Sequence, residues 1–246
     1  MIVRDMGSAW QIVFQTDHGE VAGAFARAWA DQGSRHASLA VAAERHDDGW
    51  AVWERAPMVE PETGTPVNFL AVQVPSHLAF YRAAIAAITE EDAYAGLLVS
   101  MHGAGIYSQR YGTDPGLKLE HEDAVRDQVE AFVAEQEAGY EERMAAIGVD
   151  DERRWADYRL LQLYDRLCLY FCMRDVEAGE EAELVDYRLE PLGSWRVRMT
   201  PFPFAESPAR FMLLRRVVPK REWGLADFRR ALRDQEPART EITIER

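Results

Sequence analysis

Lysine is nearly missing from this sequence. Lys118 and Lys220 stand against 26 arginines among 246 residues, a bias that reads as genome composition rather than function. Cysteine is as scarce. Cys168 and Cys172 lie four residues apart in an apolar run, so they read as buried free thiols in a reducing cytoplasm and exclude a disulfide framework. No apolar stretch approaches the roughly 18 residues of a membrane span. The opening segment, MIVRDMGSAWQIVFQ, lacks the basic, apolar and small-residue regions of a signal peptide. No internal repeat of about 20–50 residues is visible. Basic charge is in deficit too. The formal net charge is −14, which excludes a generic nucleic-acid or anionic-membrane binder, because both require a basic field.

What remains is an ordinary globular composition, 48% hydrophobic and 28% charged, with length for one domain and an appendage. The charge is uneven: residues 192–246 carry +5, whereas 119–154 carry −8. The acidic stretch also has an apolar stripe at Val125, Val129, Phe132, Val133, Gln136, Tyr140, Met144 and Ile147, so it reads as an outer helix with a solvated face. Spacings of three and four predict helices over 18–31, 37–47, 75–89, 90–102, 120–147 and 151–174. Residues 2–15 read as a hairpin turning at Gly7-Ser8, and Pro- and Gly-punctuated loops are expected over 57–66 and 103–115. Beyond Gly179 the period changes to two. Strands are expected over 183–190, 194–200, 210–218 and 240–245, with a short helix over 222–233. The expected fold is mainly α: a helical core over 1–178 that includes the N-terminal hairpin, and a β-rich extension over 179–246 packed on it.

Four of the six histidines fall on apolar helical stripes. His18 leads Ala22, Phe25 and Trp29; His46 follows Leu39 and Ala43; His77 leads Tyr81, Ile85 and Ile88; His102 follows Tyr94 and Leu98. Each imidazole should therefore point inward, where both ring nitrogens need partners. Asp165 is the sharper anomaly. It sits in LLQLYDRLCLYFC, apolar almost all round and so the expected central helix. A carboxylate there requires a metal ion or a buried cation. Arg166 points about 100° away, which leaves an arginine from another helix, for instance Arg82, as the alternative to a metal. In His46-Asp47 an imidazole and a carboxylate sit side by side at a helix end, and the two oxygens of Asp47 can bridge two ions. His36 and His121 have no place in this arrangement and read as surface residues.

The order His18, His46-Asp47, His77, His102, Asp165 resembles the ligand order of the HD-domain superfamily of metal-dependent enzymes. The His, His-Asp and distal Asp are its minimal set, and the two intervening histidines mark its dinuclear branches. These include the two-metal phosphohydrolases and the diiron oxygenases typified by myo-inositol oxygenase. The resemblance covers roughly residues 10–175. Over its whole length the chain also resembles a bacterial domain-of-unknown-function family built on this pattern, with stretches such as AERHDDGW, SMHGAGIY and LLQLYDRLCLYFC. There are departures from the HD pattern. Asp48-Gly49-Trp50 follows the doublet where many HD hydrolases carry a lysine, and the GYP signature of cyclic dinucleotide phosphodiesterases is absent. Both turn the expectation away from a nucleotide substrate.

The resemblance implies an HD-like helical bundle and two divalent first-row ions, iron first, with Mn, Zn or Ni as alternatives. His18, His46, Asp47 and Asp165 would hold one ion; His77, His102 and bridging Asp47 would hold the other. With two aspartates and a hydroxide the site sums to about +1, so it can attract a small anion despite the acidic chain. The leading expectation is hydrolysis of a small phosphoester or related anion through a metal-bridging hydroxide. Asp47 carries the metals, and Asp48 or Asp17 accepts a proton. One alternative is a mixed-valent diiron oxygenase, and another is a non-catalytic metal-dependent sensor or binding domain. Trp50, Asn68, Tyr107, Arg110 and Tyr111 follow ligand-bearing helices and are expected to contact substrate, with Arg110 as the anion clamp. The expected setting is cytoplasmic, with no membrane or nucleic-acid partner and with homodimerisation left open.

Overall fold

The chain begins with a hairpin. β1 (Ile2–Asp5) pairs antiparallel with β2 (Ala9–Val13), and Gly7 takes the positive φ of 81° that the tight turn needs. The computed structural model describes residues 1–31, 33, 36–113 and 122–246. Among the described residues the α-helices that follow are α1 (Gln15–Ala28), α2 (His36–Arg45), α3 (Ala51–Glu54), α4 (Val74–Glu91), α5 (Ala93–Tyr107), α6 (Arg126–Glu137), α7 (Tyr140–Ile147) and α8 (Asp151–Met173). The C-terminal part contains β3 (Ala182–Leu184), β4 (Tyr187–Gly193), β5 (Arg196–Thr200), β6 (Ala209–Pro219), α9 (Leu225–Asp234) and β7 (Ala238–Glu245). Among the described residues, no helix is long and apolar enough to cross a membrane.

Several boundaries differ from those read in the sequence, some for a tertiary reason and some for a local one. α1 starts at Gln15 rather than 18, because the Glu54 carboxylate accepts the backbone N–H of Gln15 at 2.5 Å. Asp92 separates α4 from α5 and caps the latter through the N–H groups of Tyr94 and Ala95, both at 3.0 Å. The expected loop from 103 begins only after Tyr107, since Gly103 and Gly105 are helical. A Cβ on Gly105 would lie 1.9 Å from the Tyr158 hydroxyl, so that glycine serves close packing of α5 on α8. The expected helix over 120–147 is broken into α6 and α7, which lets both Phe132 and Tyr140 pack onto α5; positions 120 and 121, with His121, lie outside the described residues. The expected strand 183–190 is a hairpin of β3 and β4, turning at Val185 with φ of 55°. The helix buried on every side is α5, from Tyr94 to Ile106, and not α8.

The fold is α+β, with about 54% helix and a curled seven-stranded sheet, so "mainly α" describes only part of it. The strand order is β1-β2-β6-β7-β5-β4-β3; β5 and β7 are parallel and every other neighbour is antiparallel. β6 is the joint: Arg216–Pro219 pair with β2, while Ala209–Arg215 pair with β7. The N-terminal hairpin therefore belongs to the same sheet as the C-terminal strands. Buried Val197, Met199, Phe211 and Leu213 alternate with more accessible Arg196, Arg198, Arg210 and Met212. That alternation gives the sheet an inner face toward the helices. α1 lies against this face, with the Phe25 ring 4.6 Å from Phe211, and Trp29 5.0 Å from Tyr164 and 5.1 Å from Phe204. A smaller core, with Trp223, Phe228 and Leu232 against Ile12 and Val218, fastens α9.

Candidate metal centre

The close approach of α1 and α2 sets the site. Gly19 and Gly23 of α1 face Glu44 of α2, and a Cβ on Gly19 would lie 2.3 Å from the Glu44 carbonyl oxygen. With no side chain in the way, the backbones meet and the two histidines converge. His18 Nε2 lies 3.3 Å from His46 Nε2 and 3.2 Å from Asp165 Oδ1 on α8. His46 Nε2 lies 3.5 Å from Asp47 Oδ2 and 3.8 Å from Asp165 Oδ1. All four side chains are buried.

The chemistry of this donor set fits a cation. His46 Nδ1 is 2.8 Å from the Ala43 carbonyl oxygen, which can only accept, so Nδ1 carries the hydrogen and the neutral ring presents a lone pair at Nε2. That lone pair faces two carboxylate oxygens, an arrangement of acceptors that is unfavourable when buried unless a proton or a metal ion lies among them. A first-row ion with bonds of about 2.0–2.2 Å separates neighbouring ligand atoms by roughly 3–3.6 Å, close to the spacings found. The supporting hydrogen bonds are also in place. Asp47 Oδ1 accepts from the Tyr81 hydroxyl at 2.9 Å, and Asp165 Oδ2 accepts from Arg110 Nη2 at 3.1 Å.

Without an ion, a proton takes its place. Burial is the largest single influence on His18 and disfavours its charge, but Asp165 and the Cys172 sulfur together outweigh it and hold the imidazole up at about 10. Burial likewise opposes the charge on Asp165, yet His18 and the Arg110 guanidinium hold its carboxyl well below the usual range. Burial and the nearby Arg110 charge push His102 well down. Burial takes His77 to about 4, against the opposing pull of Asp47. Both are therefore neutral imidazoles.

The residues expected for a second ion are arranged differently. His77 Nδ1 is 2.5 Å from the Tyr107 hydroxyl, and its ring lies 5.1 Å from that of Trp50. His102 Nδ1 is 2.9 Å from Arg110 Nη1. A guanidinium can only donate, so this nitrogen is the acceptor. Among the described residues, the ligating triplets with all atoms within 4.8 Å are His18–His46–Asp47, His46–His102–Asp165 and His18–Cys168–Cys172. His77 belongs to none of them. His77, His102 and Asp47 thus share a cavity without meeting at one point, and they do not fit a second ion as they stand.

Arg110 reaches this position through an unusual backbone. Gln109, Arg110 and Tyr111 have φ of 51°, 53° and 54°, followed by Gly112 at 74°. Each left-handed non-glycine residue costs roughly 1–2 kcal/mol, so strain is concentrated where the guanidinium is aimed. It is Arg110, and not Arg82, that pairs with Asp165; Arg82 pairs with Glu135 at 2.8 Å.

One cavity of about 50 Å³ opens onto the centre, lined by Asp47, His77, Tyr81, His102, Arg110 and Asp165, with Gln15, Phe69, Leu70, Ile106 and Leu169. A buried water needs roughly 10–15 Å³, so this space suits a few waters or one small headgroup. Larger substrates would extend past Leu70, which is 52% exposed. Of the expected substrate contacts, only Arg110 lines the cavity. Tyr107 and Trp50 stand behind His77. Asn68 donates to the Val3 carbonyl at 2.9 Å and caps the turn that carries Phe69. Tyr111 packs on Trp155 and Tyr158, at 5.5 and 6.0 Å. Asp48 is paired with Arg45 at 2.6 Å and Asp17 with Arg216 at 2.9 Å, and neither is among the cavity's lining residues. His36 is half-buried at the start of α2.

The model of a family described as "Protein of unknown function (DUF3891)" matches residues 1–220. The chain belongs to this family. The matched span takes in all six expected ligands, Arg110, and β6, the strand that joins the two ends of the chain. No curated protein and no solved structure matches the chain.

Two residues of this DUF3891 site are not singled out by the sequence as functional. Tyr81 orients Asp47, and its signal is its place one turn after His77. Gln15 lines the cavity with a buried Oε1 that has no hydrogen-bond partner; nothing local marks it. Cys168 and Cys172 are free and buried, as expected, with their sulfurs 4.0 Å apart beside His18.

Proposed function

We propose that this chain is a metal-dependent hydrolase of HD-domain type that acts on a small anionic ester, a phosphoester first. The observation that carries this reading is the convergence of His18, His46, Asp47 and Asp165 from α1, the end of α2, and α8, with a lone pair and two carboxylates turned toward one point. These four residues would hold the ion, with iron first and Mn, Zn or Ni as alternatives. A bound ion supplies Lewis acidity and lowers the pKa of water toward about 7.

The chain's own residues do the rest. Arg110 gives the cavity a permanent positive charge, and Phe69, Leu70 and Ile106 line it with apolar surface, so an anionic headgroup is drawn in and its apolar remainder is tolerated. Tyr81 fixes the rotation of Asp47, and Tyr107 fixes that of His77. His77, uncharged, can accept a hydrogen bond from a substrate hydroxyl or water without repelling Arg110. Asp48 and Asp17, each paired with an arginine, stay outside this role.

The test is turnover of p-nitrophenyl phosphate and bis(p-nitrophenyl) phosphate under anaerobic conditions, after reconstitution with Fe(II) or Mn(II). Hydrolysis that disappears in His46→Ala supports the reading. Absence of hydrolysis in a metal-loaded protein that consumes O₂ with an added polyol would replace it with the oxygenase alternative. A metal-loaded protein with neither activity would favour the sensor.

A further inference from the structure

We propose that Arg110 takes the place of a second metal ion, so that the centre is built from one exchangeable ion and one fixed guanidinium. This rests on the reading that His18, His46, Asp47 and Asp165 hold the first ion. Two of the atoms around a second position are already engaged. Arg110 Nη1 bonds His102 Nδ1 at 2.9 Å, and Nη2 bonds Asp165 Oδ2 at 3.1 Å. The guanidinium is buried, with 5% of the residue exposed, and it stays protonated at any working pH. A second divalent ion on His102 would have to displace it or sit against its charge in a poorly screened interior, where like charges repel strongly. The third expected ligand, His77, is in none of the ligand triplets that come together among the described residues.

One divalent ion, one guanidinium and two aspartates sum to about +1, against +2 for two ions and two aspartates, so the site still draws an anion. The three successive left-handed residues at 109–111 have no counterpart in a role for Arg110 at the surface. They make sense as the means of turning this side chain into the core. The consequence is chemical. A single exchangeable ion beside a fixed cation suits hydrolysis of an oxyanion and has no partner metal with which to share electrons, so chemistry that needs a mixed-valent pair is closed to this centre.

The experiment is a Mn(II) titration of metal-stripped protein, with bound metal counted by equilibrium dialysis and the spectrum read by EPR. Wild type should bind one Mn(II) per chain and give the six-line signal of an isolated ion. Arg110→Ala and Arg110→Gln, checked for folding by circular dichroism, should take up a second ion and show a signal broadened by coupling between the two. Two coupled ions in wild type would overturn the proposal while leaving the hydrolase reading intact. No ion in wild type would overturn both. A count that stays at one in both folded variants would also overturn it, because the guanidinium would then not be what fills the second place.

Discussion

Asp165 serves two partners with its two oxygens: Oδ1 faces His18 and Oδ2 accepts from Arg110, at 3.2 and 3.1 Å. Asp165→Asn removes a ligand and leaves a buried guanidinium without its anion. Breaking a buried pair in this way costs roughly 3–5 kcal/mol. Urea denaturation should show that loss, and metal content should fall with it. Asp92→Ala is the contrasting case. It removes only the cap of α5 and should cost about 1 kcal/mol with metal content unchanged. At this scale the candidate site is readable in part. An aspartate in an apolar helix and four histidines on apolar stripes announce themselves by the cost of burying them. Arg110 as the partner of Asp165 does not, because its position depends on left-handed backbone at Gln109, Arg110 and Tyr111, and only Gly112 hints at it.

Elements bring these residues together, and the contact of α1 with α2 is the decisive one. Gly19→Ala places a Cβ 2.3 Å from the Glu44 carbonyl oxygen, which cannot be relieved by moving a side chain. The helices must separate, and overpacking of this kind costs roughly 1–3 kcal/mol. Because His18 lies on α1 and His46 directly follows α2, metal affinity should drop together with thermal stability, although no ligand is changed. Dialysis against Mn(II) and a melting curve on the same sample check this. The helical periods are legible in the sequence, but the ends are not. α1 starts early because Glu54 accepts the N–H of Gln15 from a distance of 39 residues in sequence. α5 runs through Gly103 and Gly105 because those glycines serve packing against Tyr81 and Tyr158 rather than a turn.

For the whole molecule, the sheet ties the ends of the chain to the helices. Phe204 and Phe211 lie against Phe25, at 6.1 and 4.6 Å, and β6 pairs with β2. A fragment ending at residue 178 would lose those partners and expose the inner side of α1, so it should fail to give the near-ultraviolet dichroism of a packed core. The full chain should unfold in a single transition followed alike by fluorescence and circular dichroism. Phe25→Ala should lower its stability by roughly 3–5 kcal/mol. The period-two signal after Gly179 shows the strands, yet pairing across more than 200 residues, such as Ile12 with Arg216, leaves no local trace. The β-rich segment is therefore the wall that α1 leans on, and α1 in turn presents His18.

The proposed function depends on His18, His46, Asp47 and Asp165 holding a metal ion. It is tested most directly by the metal content of the protein purified without added metal, measured by inductively coupled plasma mass spectrometry beside Asp165→Asn. About one first-row ion per chain is expected in wild type and close to none in the variant. Close to none in wild type, with no uptake of Fe(II), Mn(II), Zn(II) or Ni(II) on reconstitution, would contradict it.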